Sequence, residues 1–177
     1  MLFICTVGVK TVPKWGYSIV NLDLEKTVKT SGRELRISHK HAIEISRTIK
    51  GMMLPQAKTY LQSVIEKKTA VPFKRYRKLL GHRHGLEKAD VGKYPVKAAK
   101  KILDLLNNVQ ANAEFKGLDA ETLKIIHASA YPGRRIKRYT PRAQGRATPR
   151  FETFTHVELV LEQTEQPTEE TEETEET

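Results

Sequence analysis

The sequence predicts an α+β fold in which three helices pack on a small antiparallel sheet, with a long basic β-hairpin protruding from it. Three observations carry this expectation. Three segments repeat apolar residues at helical spacing. The last segment before the acidic tail alternates apolar and polar residues with a period of two. Between them, residues 131–150 hold seven bases, three prolines, two glycines and no acid, a stretch with little to bury. The chain has 177 residues, 38% of them hydrophobic, which suits one compact domain with short extensions.

In chain order, residues 1–16 read as a flexible N-terminal extension. Their apolar stretch from Leu2 to Val9 is broken by Thr6 and Gly8, and Lys10 and Lys14 follow it rather than precede it, the wrong order for a secretory signal. Tyr17 to Leu22 is a candidate strand. Ser38 suits the N-cap of a first helix running to about Gly51, with Ala42, Ile45, Ile49 and Met52 along one side. Pro55 fits the first turn of a second helix, in which Ala57, Leu61, Val64 and Ile65 recur at helical spacing. Pro95 opens a third, whose stripe of Ala98, Ile102, Leu105, Leu106, Val109 and Ala113 stops at Gly117. Thr122 to Ala130 and Thr155 to Glu162 are the remaining strands; the second sets Thr155, Val157, Leu159 and Leu161 against His156, Glu158 and Glu162.

Three stretches are left without a core role. Residues 72–94 form a glycine-interrupted basic loop. The arm about 131–150 is most simply the outward continuation of its flanking strands, since a structureless loop of that length is uncommon inside a compact domain. Residues 163–177 are Glu/Thr repetition that cannot bury surface, hence a disordered acidic tail. The domain with its arm therefore spans 17–162.

Charge narrows the function. Seven of the 21 acids lie beyond Gln163, so residues 1–162 carry 14 acids against all 31 bases, a net of +17. Such a body repels itself until a polyanion neutralises it, and nucleic acid is the first partner to consider. No apolar run approaches the roughly 18 residues of a membrane-spanning helix. The lone Cys5 excludes an intramolecular disulfide framework and a cysteine-based zinc site. P-loop, GxGxxG, GxSxG and HExxH signatures are absent, which disfavours an enzyme.

The binding candidates follow from residue type. In the arm, Arg134, Arg135, Lys137, Arg138, Arg142, Arg146 and Arg150 are arginine in six cases of seven, and a guanidinium fork grips phosphate bidentately. Tyr139, near Pro141, offers a stacking surface for an unpaired base. Lys74, Arg75, Arg77, Lys78, Arg83 and Lys88, before Lys93, carry the charge of the 72–94 loop, with His82 and His84 beside them as RNA or structural hydrogen-bonding groups. A metal site at these histidines is disfavoured by Lys78 and Arg83. Lys97, Lys100 and Lys101 crowd the first turns of the third helix, where the helix dipole disfavours cations unless a phosphate is near.

These residues carry a resemblance. Pro141-Arg-Ala-Gln-Gly-Arg-Ala147, within Ile136 to Ala147, resembles the hairpin-tip hallmark of the universal large-subunit ribosomal protein L-twenty-two family. Gly32-Arg-Glu-Leu-Arg-Ile-Ser38, Val71-Pro-Phe73, Gly81-His-Arg83, Asn112-Ala-Glu114 and Lys116-Gly-Leu118 are similar to its archaeal and eukaryotic branch. The likeness covers about residues 17–162; Thr140 and Gln144 depart from what other members often carry at the tip. It implies a structural, non-catalytic constituent of the cytoplasmic large ribosomal subunit, without cofactor or metal. Its implied partners are large-subunit ribosomal RNA, whose assembly it would help, neighbouring large-subunit proteins and the nascent polypeptide. It further implies that the tip, Lys137, Arg138, Tyr139, Thr140, Pro141, Arg142, Ala143, Gln144, Gly145 and Arg146, lines the nascent-peptide exit tunnel. The alternative from charge alone is an architectural DNA-binding protein with a basic hairpin arm; a single arm without an evident dimer face argues against it.

Overall fold

The computed structural model describes residues 16–164, apart from 20, 21, 24, 87 and 88. The expectations for the first fifteen residues and for the tail beyond Thr164 fall outside the described residues. The order of elements is β1 (Thr27–Leu35), α1 (His39–Ile49), α2 (Leu54–Ile65), β2 (Val71–Pro72), β3 (Gly92–Lys93), α3 (Val96–Lys116), β4 (Leu123–Pro141), a 3-10 turn (Ala143–Gly145) and β5 (Ala147–Gln163). An antiparallel sheet in the order β1-β5-β4 carries the helices, and β2 and β3 form a separate antiparallel pair.

β5 takes the central place because its inner half is the most strongly alternating strand of the chain. Thr155, Val157, Leu159 and Leu161 are buried, and the strand pairs on both edges, Thr27↔Glu162 to Leu35↔Thr155 with β1 and Leu123↔Gln163 outward with β4. The three helix stripes close over this face. Ala42, Ile45 and Ile49 of α1, Ala57, Leu61 and Val64 of α2, and Ala98, Ile102, Leu106 and Val109 of α3 are all buried. Truncating a fully enclosed member such as Leu106 to Ala would remove ~2–5 kcal/mol. α3 stops where expected: Gly117 adopts φ 74°, a left-handed conformation that suits glycine, and Leu118 N–H returns to the Ala113 carbonyl at 3.0 Å.

Two local expectations need correction, and a third holds in position only. Tyr17, Ser18, Ile19 and Leu22 lie in no strand, and the third strand of the sheet is β1 instead. β1 escaped notice because its buried positions include Thr27, Thr30 and Gly32, so burial there leaves little hydrophobic alternation. Ser38 occupies the N-cap of α1, yet its hydroxyl makes no capping bond, and its carbonyl simply accepts Ala42 N–H at 3.0 Å. Finally, the 72–94 segment does reach the core. Phe73 is buried in the main cluster, Val91 is buried beside it, and Tyr76 and Leu80 pack against the cluster. The segment is thus a loop pinned at its base by the pairs Val71↔Lys93 and Pro72↔Gly92.

Candidate nucleic-acid interface

The arm is built by strands that do not stop where the core stops. β4 and β5 stay paired from Tyr131↔His156 to Pro141↔Ala147, although most residues beyond Tyr131 are exposed. Ten residue steps of strand reach about 33 Å. The tip closes with Arg142 N–H on the Arg146 carbonyl at 2.8 Å and Gln144 at φ 60°. Both Thr140 and Thr148 sit one step short of it, opposite each other.

The root of the arm is fixed by His156. β1 bulges between Gly32 and Leu35, and β4 bulges between Pro132 and Arg135. A bulge re-aims the strand that carries it. His156 lies between the two: its Nδ1 accepts Glu34 N–H at 3.1 Å, while its ring fills the space above Gly133. A Cβ at residue 133 would stand 2.6 Å from His156 Nε2, so any larger residue there forces the ring to move.

Cross-strand register then decides how the arm's charges are displayed. Arg138 lies directly opposite Arg150. Two like charges at facing positions weaken a strand pair in water, and a phosphate between them reverses that effect. Lys137 faces Phe151, and Tyr139 faces Pro149. Alternation places Arg135, Lys137, Tyr139 and Phe151 on one side of the ribbon and Arg138, Arg150 and Glu152 on the other. Tyr139 and Phe151 are 66% and 58% exposed, which leaves two aromatic surfaces available for stacking on bases. Arg138 is not wholly given over to a ligand, because its Nε lies 3.0 Å from Glu152.

The 73–91 loop presents its bases by an unexpected device. The buried carboxylate of Glu44, on α1, accepts the backbone N–H groups of Lys74, Arg75 and Tyr76 at 3.2, 2.8 and 3.0 Å. The backbone is thereby turned inward and the side chains of Lys74, Arg75, Arg77 and Lys78 stand exposed. Tyr76 lies under two of the cations, Lys40 Nζ at 5.7 Å and Arg75 Cζ at 5.6 Å from its ring centre, with His39 edge-on at 6.3 Å. Arg83 stacks on Tyr94 at 5.4 Å, and Arg77 pairs with Asp90 at 3.6 Å. His82 and His84 are exposed; among the described residues no three His, Cys, Asp or Glu side chains are grouped to hold a metal ion.

Helix α1 and the residues flanking it contribute a set that the sequence reading missed. Arg36, Lys40, Arg47 and Lys50 are exposed, and α1 has no acid in its first turn. A hollow of about 530 Å³ lies between this helix, the loop and the arm root, lined by Arg47, Lys50, Arg75, Tyr76 and Tyr131 among others. His39 and His41 are held below the usual histidine range, first by burial and then by neighbouring cations, Lys40 and Arg135 for His39 and Lys93 and Lys40 for His41. The signal was present in Ser38-His-Lys-His41, a cationic helix start without acid, the same pattern noticed at Lys97, Lys100 and Lys101. Those three lysines are exposed; Lys97 lines a hollow with Arg36 and Glu152, whereas Lys101 is paired with Asp104 at 3.2 Å.

Exposed cations brought together from a pinned loop, two helix starts and a paired arm, with aromatic surfaces among them, define a structural nucleic-acid-binding protein. The family profile of Ribosomal protein L22p/L17e matches residues 30–162. The large ribosomal subunit protein uL22 of Archaeoglobus fulgidus is 55% identical over 140 residues, covering 79% of this chain and 90% of the relative. The uL22 proteins of Ignicoccus hospitalis and Methanopyrus kandleri are 48% and 49% identical, covering 87% and 84% of this chain and 100% and 96% of their own lengths. The chain belongs to the ribosomal protein L22p/L17e family, in its archaeal and eukaryotic-type branch. It is accordingly a structural, RNA-binding ribosomal protein of the translation machinery rather than a catalyst. Among the described residues no helix is long and apolar enough to cross a membrane.

Proposed function

We propose that this protein binds large-subunit ribosomal RNA through its basic face, helps that RNA assemble, and lines the nascent-peptide exit tunnel with the tip of its arm. The observation that carries the reading is the facing pair Arg138↔Arg150 on an exposed ribbon whose residues 131–150 hold no acid and whose next acid, Glu152, meets only one of the two, an arrangement that costs stability in water and gains it against phosphate. Lys74, Arg75, Arg77, Lys78, His82, Arg83 and His84 in the loop, Lys97, Lys100 and Lys101 on α3, and Arg134, Arg135, Lys137, Arg138, Tyr139, Arg142, Arg146 and Arg150 on the arm are the proposed RNA contacts. Each phosphate neutralised releases counterions, so many separate contacts bind together and loosen together with salt. The tip from Lys137 to Arg146, with Thr140, Pro141, Ala143, Gln144 and Gly145 between the cations, forms the proposed tunnel wall. Neighbouring large-subunit proteins and the nascent chain are its further partners, in the cytoplasm.

The test is to replace residues 137–151 by an Asn-Gly turn, incorporate the shortened protein into large subunits and image them beside the intact form. The expected result is normal incorporation through the globular face and a tunnel widened where the tip was. An unaltered tunnel wall, or an arm lying on the outer surface of intact subunits, would remove the tunnel from this reading.

A further inference from the structure

Glu152 stands where cations from three parts of the fold converge. Arg36 lies in the turn between β1 and α1, Lys97 in the first turn of α3, and Arg138 on the arm strand β4. Glu152 Oε1 accepts Arg36 Nε–H at 2.5 Å, and Oε2 lies 3.0 Å from Arg138 Nε. The hydrogen bond from Arg36 is the main reason the Glu152 carboxyl is held below its ordinary range; burial opposes it, and the charges of Arg138, Arg36 and Lys97 add to it. One carboxylate among three cations leaves the cluster with an excess of positive charge.

The geometry is that of a bracket, not of a closed ion pair. The Glu152 side chain is 27% exposed, while the two arginine side chains remain 61% and 54% exposed. A guanidinium has five N–H donors, and each meets Glu152 through Nε, so most of its donors remain for a second acceptor. Arg36, Lys97 and Glu152 line a hollow of about 500 Å³ that also includes Ser38 and Phe151, and Arg138 is joined to this lining through its ion pair with Glu152. Without Glu152, Arg36 and Arg138 would repel each other and sample many rotamers; with it, two forks are already oriented when an anion arrives.

We propose that Arg36, Lys97 and Arg138 form one binding site for a phosphate of the RNA backbone, and that Glu152 is the positioning residue that holds its two arginines in place. The proposal rests on the RNA-binding reading above and adds Arg36 and Glu152 to it. It makes an unusual claim about sign. By charge alone, removing an acid from an RNA-facing surface tightens binding; here it loosens it, because the two forks lose their common anchor.

The experiment measures binding of the full chain to large-subunit ribosomal RNA, transcribed from the genome that encodes it, across a salt series. Glu152→Gln should weaken binding about three- to tenfold, and Arg36→Ala by a similar factor, as expected for loss of one charge-assisted contact. Arg36→Ala should also lower the slope of log affinity against log salt, by at most roughly 0.7–0.9, the value for one whole phosphate, because Lys97 and Arg138 remain at the site. The double variant should bind within about twofold of Arg36→Ala, since the two act through one contact. Unchanged or tighter binding by Glu152→Gln, or additive losses in the double variant, would overturn the proposal. Arg36→Lys keeps the charge and loses the fork, so it tests the site even should Glu152→Gln fold poorly. It should weaken binding about threefold or more, and wild-type affinity would refute the bracket. Failure of the unaltered chain to show salt-dependent binding would instead fall on the RNA-binding reading, and on this site with it.

Discussion

The carboxylate of Glu44 accepts the backbone N–H of Arg75 at 2.8 Å, from a position with no solvent exposure. A buried acid on a helix thus shapes a basic loop thirty-one residues away. Lys74 and Tyr76 donate to the same carboxylate, and the Arg47 guanidinium approaches it at 3.9 Å, so the charge is met by three N–H dipoles and one cation. The arrangement separates roles: the loop's backbone satisfies the acid, and its side chains are left to meet phosphate.

Replacing this anchor should cost more than any surface acid. Glu44→Ala leaves inward-facing N–H groups without an acceptor, and we expect a loss of about 2–4 kcal/mol in urea unfolding. Glu44→Gln should lose less, because its amide oxygen still accepts. Equal stability of Glu44→Ala and the unaltered chain would show that the loop is held by Phe73 and the β2–β3 pairs alone.

Arg150 should show opposite effects on stability and binding. Arg150→Thr removes the like-charge pair with Arg138 and places a β-branched residue in the ladder, so the isolated protein should gain ~0.2–1 kcal/mol. Its salt slope against ribosomal RNA should fall by roughly 0.7–0.9. A gain in stability with unchanged RNA affinity would mean that this face of the ribbon does not meet phosphate.

Gly133 and His156 should behave as one unit. Gly133→Ala pushes a Cβ into the imidazole and disturbs the bond from Glu34 N–H, for an expected loss of about 1–3 kcal/mol. His156→Ala also destabilises, yet the double variant should be less damaged than the sum of the two, since the clash vanishes with the ring. Strict additivity in thermal melts would place the cost of Gly133→Ala in the backbone of the bulge.

Stability should rise with pH through the histidine range. His39, His41 and His127 are held below their ordinary value, in each case chiefly by burial. The unfolded chain then binds more protons than the folded one, so stability is complete above about pH 6.5 and declines as pH falls below it toward the lowered folded values. Glu152, also lowered, adds a second decline at more acid pH, as protonation removes its pairing with Arg36. Denaturant midpoints between pH 5 and 8 would check the first part; a flat profile would contradict it. Substituting His41 by Asn should flatten that profile in part.

The helices, the strand from Thr155 and the protruding arm were legible in the sequence because each is written locally. Apolar spacing marks a helix face whatever lies opposite, Gly117 marks a helix end, and seven bases without an acid mark a segment that has no place in a core. The hallmark from Pro141 to Ala147 is contiguous and carried the family resemblance for the same reason. Tertiary structure alone decided that Thr27–Leu35 is a strand, that Glu44 pins the loop, that His156 fills the space over Gly133, and that Arg36 shares Glu152 with Arg138. Most of these join residues far apart along the chain, and Glu152 and Arg138 meet only across a strand pair whose register the turn sets. A hydrogen bond or a close approach of that kind leaves no periodic trace in either partner's neighbourhood, so Glu44 and Glu152 read as ordinary acids until the fold set them against the backbone and side chains they hold.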